Sequence, residues 1–220
     1  MSERQPTLRE RRRSETRRLI QAHAVRMFTD RGYDAVTVAD VAEAAGVSAM
    51  TVYRHFPTKE DLVLIDQPAR LIAERVAASS ATLPVVHRVG GALVDAATAL
   101  TGGYSDGYGD GDGYGLVASE RFLLDCLRLM VATPALRARH LDSQYALQQA
   151  IADALGDGTA DPDPDAAFRA QAAISACLAA MHTALTRWAE EDGRTPLPDL
   201  IARALTASFG DAVPATGRQD

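Results

Sequence analysis

The sequence predicts an all-α protein in two unequal parts, an N-terminal three-helix domain followed by a larger helical domain. Three observations carry this. Apolar residues recur three and four positions apart through most of the chain, and no stretch alternates with the period of a strand. Thr, Ser, Gly and Pro fall where these runs begin and end, as helix caps and stops. At 220 residues the chain exceeds the common single-domain length of roughly 100–150, which makes two units the expected division.

The first helix reads from Ser14 to Arg31, with Leu19, Ile20, Ala24, Met27 and Phe28 on one face and Gly32 as its stop. Thr37 opens a second as a Thr-x-x-Asp cap with Asp40; Val38, Val41 and Ala42 form its inner face, and Gly46 ends it. Ser48 caps a third, directing Val47, Val52 and Phe56 inward, and Pro57 opposes helix at Phe56. Thr58 reads as the cap of a fourth helix, with Asp61 at its third position. Residues 62–83 and 85–100 continue as Ala- and Val-rich helices divided by Pro84. The Gly-rich run 102–115 reads as a flexible loop; its aspartates lack the spacing and the twelfth-position glutamate of a calcium-binding EF-hand. Further helices are expected over 117–132, from Thr133-Pro134 to Leu155, over 166–191 and over 198–209. The predicted organisation is a basic arm (1–13), a helix-turn-helix domain (14–62), a helical domain (63–209) and a disordered tail (210–220).

Hydrophobic residues at 47% and charged residues at 24% are ordinary for a soluble globular chain. The longest apolar-leaning run, Ala172 to Met181, falls short of the roughly 20 residues of a membrane helix. No apolar stretch follows the N-terminal arginines, so no secretory signal is expected, and the chain is expected in the cytoplasm with no membrane partner. Cys126 and Cys177 lie inside apolar helical patterns and read as buried free thiols. The net charge of −6 conceals a division: residues 1–66 hold eleven basic and ten acidic residues, and 67–220 hold twelve against nineteen. Within the first 18 residues, seven arginines face three glutamates. That asymmetry suits a basic arm on phosphates, and a solvated tail would give the same charge. No Gly-x-Ser-x-Gly, Walker, Rossmann or His-Glu-x-x-His pattern occurs, and His87, His140 and His182 are far apart. An enzyme, a metal site and a cofactor are therefore not expected.

The second and third predicted helices are about two turns each, joined by Ala45-Gly46-Val47, a spacing typical of helix-turn-helix DNA binding and shared by helical hairpins. The segment Phe28-x3-Gly32-Tyr33, Thr37-Val38-x2-Val41-Ala42, Ala45-Gly46-Val47-Ser48, then Thr51-Val52-Tyr53-x-His55-Phe56-x2-Lys59-x2-Leu62, resembles the TetR family of bacterial transcriptional regulators. The resemblance covers about the first 65 residues. It implies an all-helical homodimer that binds a palindromic operator, usually as a repressor released by a small molecule. RNA modules rely on exposed aromatic platforms, of which this segment offers Tyr53 and little else, so duplex DNA is the expected partner.

Outward positions of the third helix supply the candidate DNA contacts. Ala49 and Met50 offer apolar contact, as to a thymine methyl; Thr51 can hydrogen-bond to a base or phosphate; Arg54 is the candidate guanine reader. Ser48 and Thr37 are caps that can also meet phosphates, and Lys59, the chain's one lysine, is a candidate backbone clamp beside the Thr58 cap. Tyr53 and His55 resemble family positions that grip the backbone. Arginines 9, 11, 12, 13, 17 and 18 are candidates for flanking backbone or minor groove. For the helical domain, Phe122, Cys126, Met130, Met181, His182 and Trp188 are the candidate lining of a pocket for a small hydrophobic effector, with core packing as the alternative for each. The likeness of this part is also compatible with an acyl-CoA-like ligand. Helices 166–191 and 198–209 are the expected dimer interface, and the helix expected from Thr58 is the expected lever between the domains.

Overall fold

The computed structural model describes residues 7–64, 68–101, 120–156 and 164–210. The predicted loop 102–115 lies outside the described residues, as do positions 211–220 of the predicted tail. Among the described residues all regular structure is helical: α1 (Leu8–Arg31), α2 (Val38–Ala44), α3 (Ala49–His55), a single 3-10 turn (Glu60–Leu62), α4 (Pro68–Ala78), α5 (Val85–Thr101), α6 (Glu120–Ala132), α7 (Pro134–Gly156), α8 (Pro164–Glu190) and α9 (Leu197–Phe209). Among them, no helix is long and apolar enough to cross a membrane.

Three boundaries differ clearly from the sequence reading, one of them the end of α4 at Ala78, short of the expected residue 83. Helix α1 starts at Leu8, where Arg11 N–H reaches the Thr7 carbonyl at 3.0 Å, because Leu8 to Arg13 contains only good helix formers. Arginines 9 and 11–13 are thus carried on a helix. Thr58 and Asp61 do form the expected reciprocal cap, Thr58 N–H donating to Asp61 Oδ2 at 2.9 Å and Asp61 N–H to Thr58 Oγ1 at 3.3 Å. It closes only the 3-10 turn, and the next helix starts at Pro68, a residue suited to the first helical position. The lever expected from Thr58 is therefore not one helix.

The chain divides into two compact units. The first comprises residues 1–65 and 102–139, so the head built from α1 to α3 also contains α6 and the first turns of α7. Ile20, Ala24, Phe28, Val41, Val52, Phe56 and Leu62 share one buried cluster with Cys126, Met130 and Leu136. The second unit comprises residues 66–101 and 140–220. There α8 and α9 form a hairpin on which α5 packs, and α4 packs on α5. Trp188, Ile174, Ile201, Leu205 and Leu93 are fully or almost fully buried. Arg88 ties α5 to the end of α4, its Nη2 donating to the Val76 carbonyl at 3.0 Å and its Nε to Ser79 Oγ at 2.9 Å. Both cysteines are buried free thiols, and burial pushes Cys177 up to about 12.

Candidate nucleic-acid interface

Local chemistry fixes the α2–turn–α3 geometry. At the start of α2, Asp40 N–H donates to Thr37 Oγ1 at 3.2 Å, while Thr37 N–H donates to Asp40 Oδ2 at 2.7 Å, a full capping box. The Thr37 hydroxyl also donates to Asp40 Oδ2, at 2.8 Å. These bonds, the backbone one first, hold the Asp40 carboxyl below its usual range. At the other end, Val47 N–H reaches the Ala42 carbonyl at 3.0 Å and Gly46 N–H the Glu43 carbonyl at 3.1 Å. This is a Schellman closure, and it requires the left-handed residue that Gly46 supplies at φ 66°. Ser48 follows at once as the cap of α3, its Oγ accepting Thr51 N–H at 3.1 Å.

Helix α3 is anchored by one fully buried residue, Val52, and by Phe56 just past its end. Its remaining face is open. Met50 is 76% exposed, Tyr53 50%, and Arg54 is exposed. Thr51 and His55 are half-buried, with Thr51 Oγ1 and Ser48 Oγ sharing a hydrogen bond at 2.9 Å. Ala49 departs from the expected outward placement: its methyl packs partly against the core. Thr37 and Ser48 are exposed at the N-termini of their helices. The structure thus brings Ser48, Met50, Thr51, Tyr53, Arg54 and His55 onto one short helix and its cap.

Two cations brace this arrangement, and neither role was legible in the sequence. Arg17 of α1 donates from Nη1 to the His55 carbonyl at 2.7 Å, and its guanidinium lies 4.3 Å from the Phe56 ring centroid. That places a positive charge at the C-terminal end of α3, where the helix dipole favours it. Arg17 is therefore a strut of α3. Lys59 donates from Nζ to the Tyr33 carbonyl at 2.6 Å and lies 4.2 Å from the Tyr33 ring and 5.5 Å from Phe28. An ammonium has three donors, so this bond leaves capacity for a phosphate. The Tyr33 hydroxyl donates to Glu60 Oε1 at 2.9 Å, fastening the 3-10 turn to the α1–α2 junction. Burial first, then Arg13, Arg54 and Arg17, lower the pKa of His55.

The six residues expected to line an effector pocket divide between the units. Cys126 and Met130 are buried in the core of the first, and Phe122 packs against it, so core packing accounts for all three. Met181 and His182 are half-buried and Trp188 fully buried in the second. His182 of α8 stacks on His140 of α7 at 5.4 Å between ring centroids, and burial followed by the charge of His182 lowers the pKa of His140. Gln148 of α7 donates from Nε2 to Ser175 Oγ of α8 at 2.7 Å. No cluster of three or more potential metal ligands occurs among the described residues.

A small helical head that caps, turns and presents a short polar helix defines a DNA-binding regulator of the helix-turn-helix class. Residues 20–64 match the model of bacterial regulatory proteins of the tetR family, and residues 118–208 match the MftR C-terminal domain. The chain belongs to the TetR family. It is 32% identical over 137 residues to the HTH-type transcriptional regulator TcmR of Streptomyces glaucescens, covering 62% of this chain and 57% of TcmR. It is 33% identical over 108 residues to the HTH-type transcriptional repressor KstR2 of Rhodococcus jostii, covering 45% of this chain and 50% of KstR2. The chain thus spans about half the length of the relatives it matches. Both relatives are regulators, not enzymes. Among solved structures, FadR from Bacillus subtilis in complex with stearoyl-CoA aligns with a TM-score of 0.52 at 17% identity, covering 87% of this chain and 97% of that one. FadR from Bacillus halodurans gives 0.53 at 16%, covering 89% and 95%. These likenesses establish the shared fold.

Proposed function

We propose that this chain is a homodimeric transcriptional repressor that binds a palindromic operator in duplex DNA and is released by a small hydrophobic effector. The observation that carries the DNA part is α3 itself, which fully buries one residue, Val52, and leaves Met50, Tyr53 and Arg54 exposed. A core helix would bury more. Repression is supported by the similarity to KstR2. The α8–α9 hairpin is the dimer surface, and a two-fold pair would set half-sites about 34–36 Å apart or at multiples of it. The helical second unit, whose buried side chains are mainly Ala, Leu, Ile and Val, suits an apolar effector such as the acyl chain of the stearoyl-CoA bound in B. subtilis FadR. Met181, His182 and Trp188 are its candidate contacts. His182 Nδ1, His140 Nε2 and Trp188 Nε1 are buried polar atoms without a hydrogen-bond partner among the described residues, available for a polar group of the effector. The effector acts by binding the non-operator state more tightly, and the coupling is reciprocal.

Selection of duplexes from a random pool by the full chain tests the operator reading: a two-fold symmetric sequence should emerge, and equal affinity for random duplex at several salt concentrations would sink it. Within the site, Thr37, Ser48, Thr51, Tyr53, His55 and Lys59 meet the backbone, while Met50 and Arg54 reach base edges. Ala49 adds at most an apolar edge. Lys59→Ala should weaken binding to all sequences and flatten the salt dependence by about one, whereas Arg54→Ala should relax preference at one base position.

His55 adds a pH dependence. Its pKa in the free protein lies below 6.5, and a phosphate beside it would raise that value. The complex then binds more protons than the free protein, so affinity rises as pH falls through the raised value and levels off below the free one. His55→Gln should flatten affinity measured between pH about 8 and about 5.5; an unchanged slope would remove His55 from the phosphate contacts.

A further inference from the structure

The turn after the recognition helix is held from outside the helix-turn-helix. Asp61 is 4% exposed, and its carboxylate is divided between two tasks. Oδ2 accepts the Thr58 N–H at 2.9 Å and so closes the cap. Oδ1 accepts two N–H groups of Arg139, from Nε at 3.2 Å and from Nη2 at 3.1 Å. A carboxylate this buried requires a partner, and the partner comes from α7, 78 positions along the chain. The turn is thereby gripped on two sides, by Tyr33 through Lys59 and Glu60, and by Arg139 through Asp61. Only Pro57 separates the Phe56 cap of α3 from Thr58. The position of Thr58 therefore sets where the recognition helix ends, and Lys59 stands next to it.

We propose that Arg139 is a positioning residue for DNA recognition: through Asp61 it fixes the end of α3 and the stance of Lys59. Leu136, one turn earlier in α7, is fully buried in the same head core, so Arg139 projects from an anchored segment. A planar two-donor fork holds direction as well as charge, which a lysine would not. The residue after Arg139 is His140, whose ring stacks on His182 of α8.

The proposal rests on the operator reading, and its test separates the two. The wild-type full chain first selects a duplex from a random pool, and affinities for that duplex and an unrelated one are then compared at one salt concentration, well below each variant's Tm. Arg139→Gln should lower affinity for the selected duplex about tenfold while changing the unrelated one by less than about threefold, a scale typical of residues that act without touching the ligand. Arg139→Lys should recover part of the ratio. Asp61→Asn, which keeps an oxygen for Thr58, should lose the same factor, and the double variant no more. A fall in Tm with an unchanged affinity ratio would mean that Arg139 is merely structural, and so would additive losses in the double variant. If the wild type enriches nothing, the operator reading fails first.

Discussion

Phe56→Ala lowers the stability of the DNA-reading head by about 3–5 kcal/mol, the cost of removing a large aromatic side chain from a filled core. Phe56 is 1% exposed and belongs to the cluster that contains Val52, Phe28 and Leu62. Two further losses accompany the cavity. The guanidinium of Arg17 lies 4.3 Å from the ring centroid, and without the ring it loses the surface that orients its bond to the His55 carbonyl. Phe56 is also the C-cap of α3, so the last turn of the recognition helix loses its anchor along with its strut. Chemical denaturation of the full chain reads the effect. Tyr53→Ala is the matched control: an aromatic on the same helix, 50% exposed, whose truncation should cost under about 1 kcal/mol while still weakening DNA binding. Equal destabilisation by the two would mean that α3 is packed on both faces and is not a reading helix.

The parts of this head that were legible in sequence are those built from neighbours. The Thr37–Asp40 box, the Gly46 closure and the Ser48 cap each involve residues no more than five positions apart, so spacing alone carries the geometry. The same local signature misled at Thr58, because a Thr-x-x-Asp cap closes a 3-10 turn as readily as it opens a helix. Pro68 marked the true start of α4, and its preference for a first helical position was the signal available. What stayed hidden pairs distant residues. Arg17 meets His55 at a separation of 38, Lys59 meets Tyr33 at 26 and Asp61 meets Arg139 at 78. A charged residue's type and helical position do not reveal which carbonyl or carboxylate it will reach. For the same reason periodicity identified the inner face of α6 without identifying its core. Cys126 and Met130 looked like pocket lining because a helical face turned inward reads alike over a ligand and over a neighbouring helix.

Leu136→Ala should destabilise the head by about 2–5 kcal/mol, although Leu136 stands far downstream of the helix-turn-helix in sequence. Its side chain is fully buried and clusters with Ile20, Phe28 and Val52, and α6 packs directly on α1. If the head were the isolated three-helix domain that residues 14–62 suggest, this substitution would leave its amides untouched. If α6 and the start of α7 complete the core, hydrogen exchange in 8–31 and 49–55 must accelerate, because opening that core exposes both helices together. Leu141→Ala, a 58% exposed position on the same helix α7, should change stability by no more than about 0.5 kcal/mol and provides the baseline. Protection in α1 and α3 that survives Leu136→Ala would detach α7 from the head and remove the support on which Arg139 stands. Its loss would mean that the DNA-reading surface cannot be separated from the chain beyond residue 120, and that a fragment ending at residue 64 should leave Phe28 and Val52 without the cover that α6 and α7 supply.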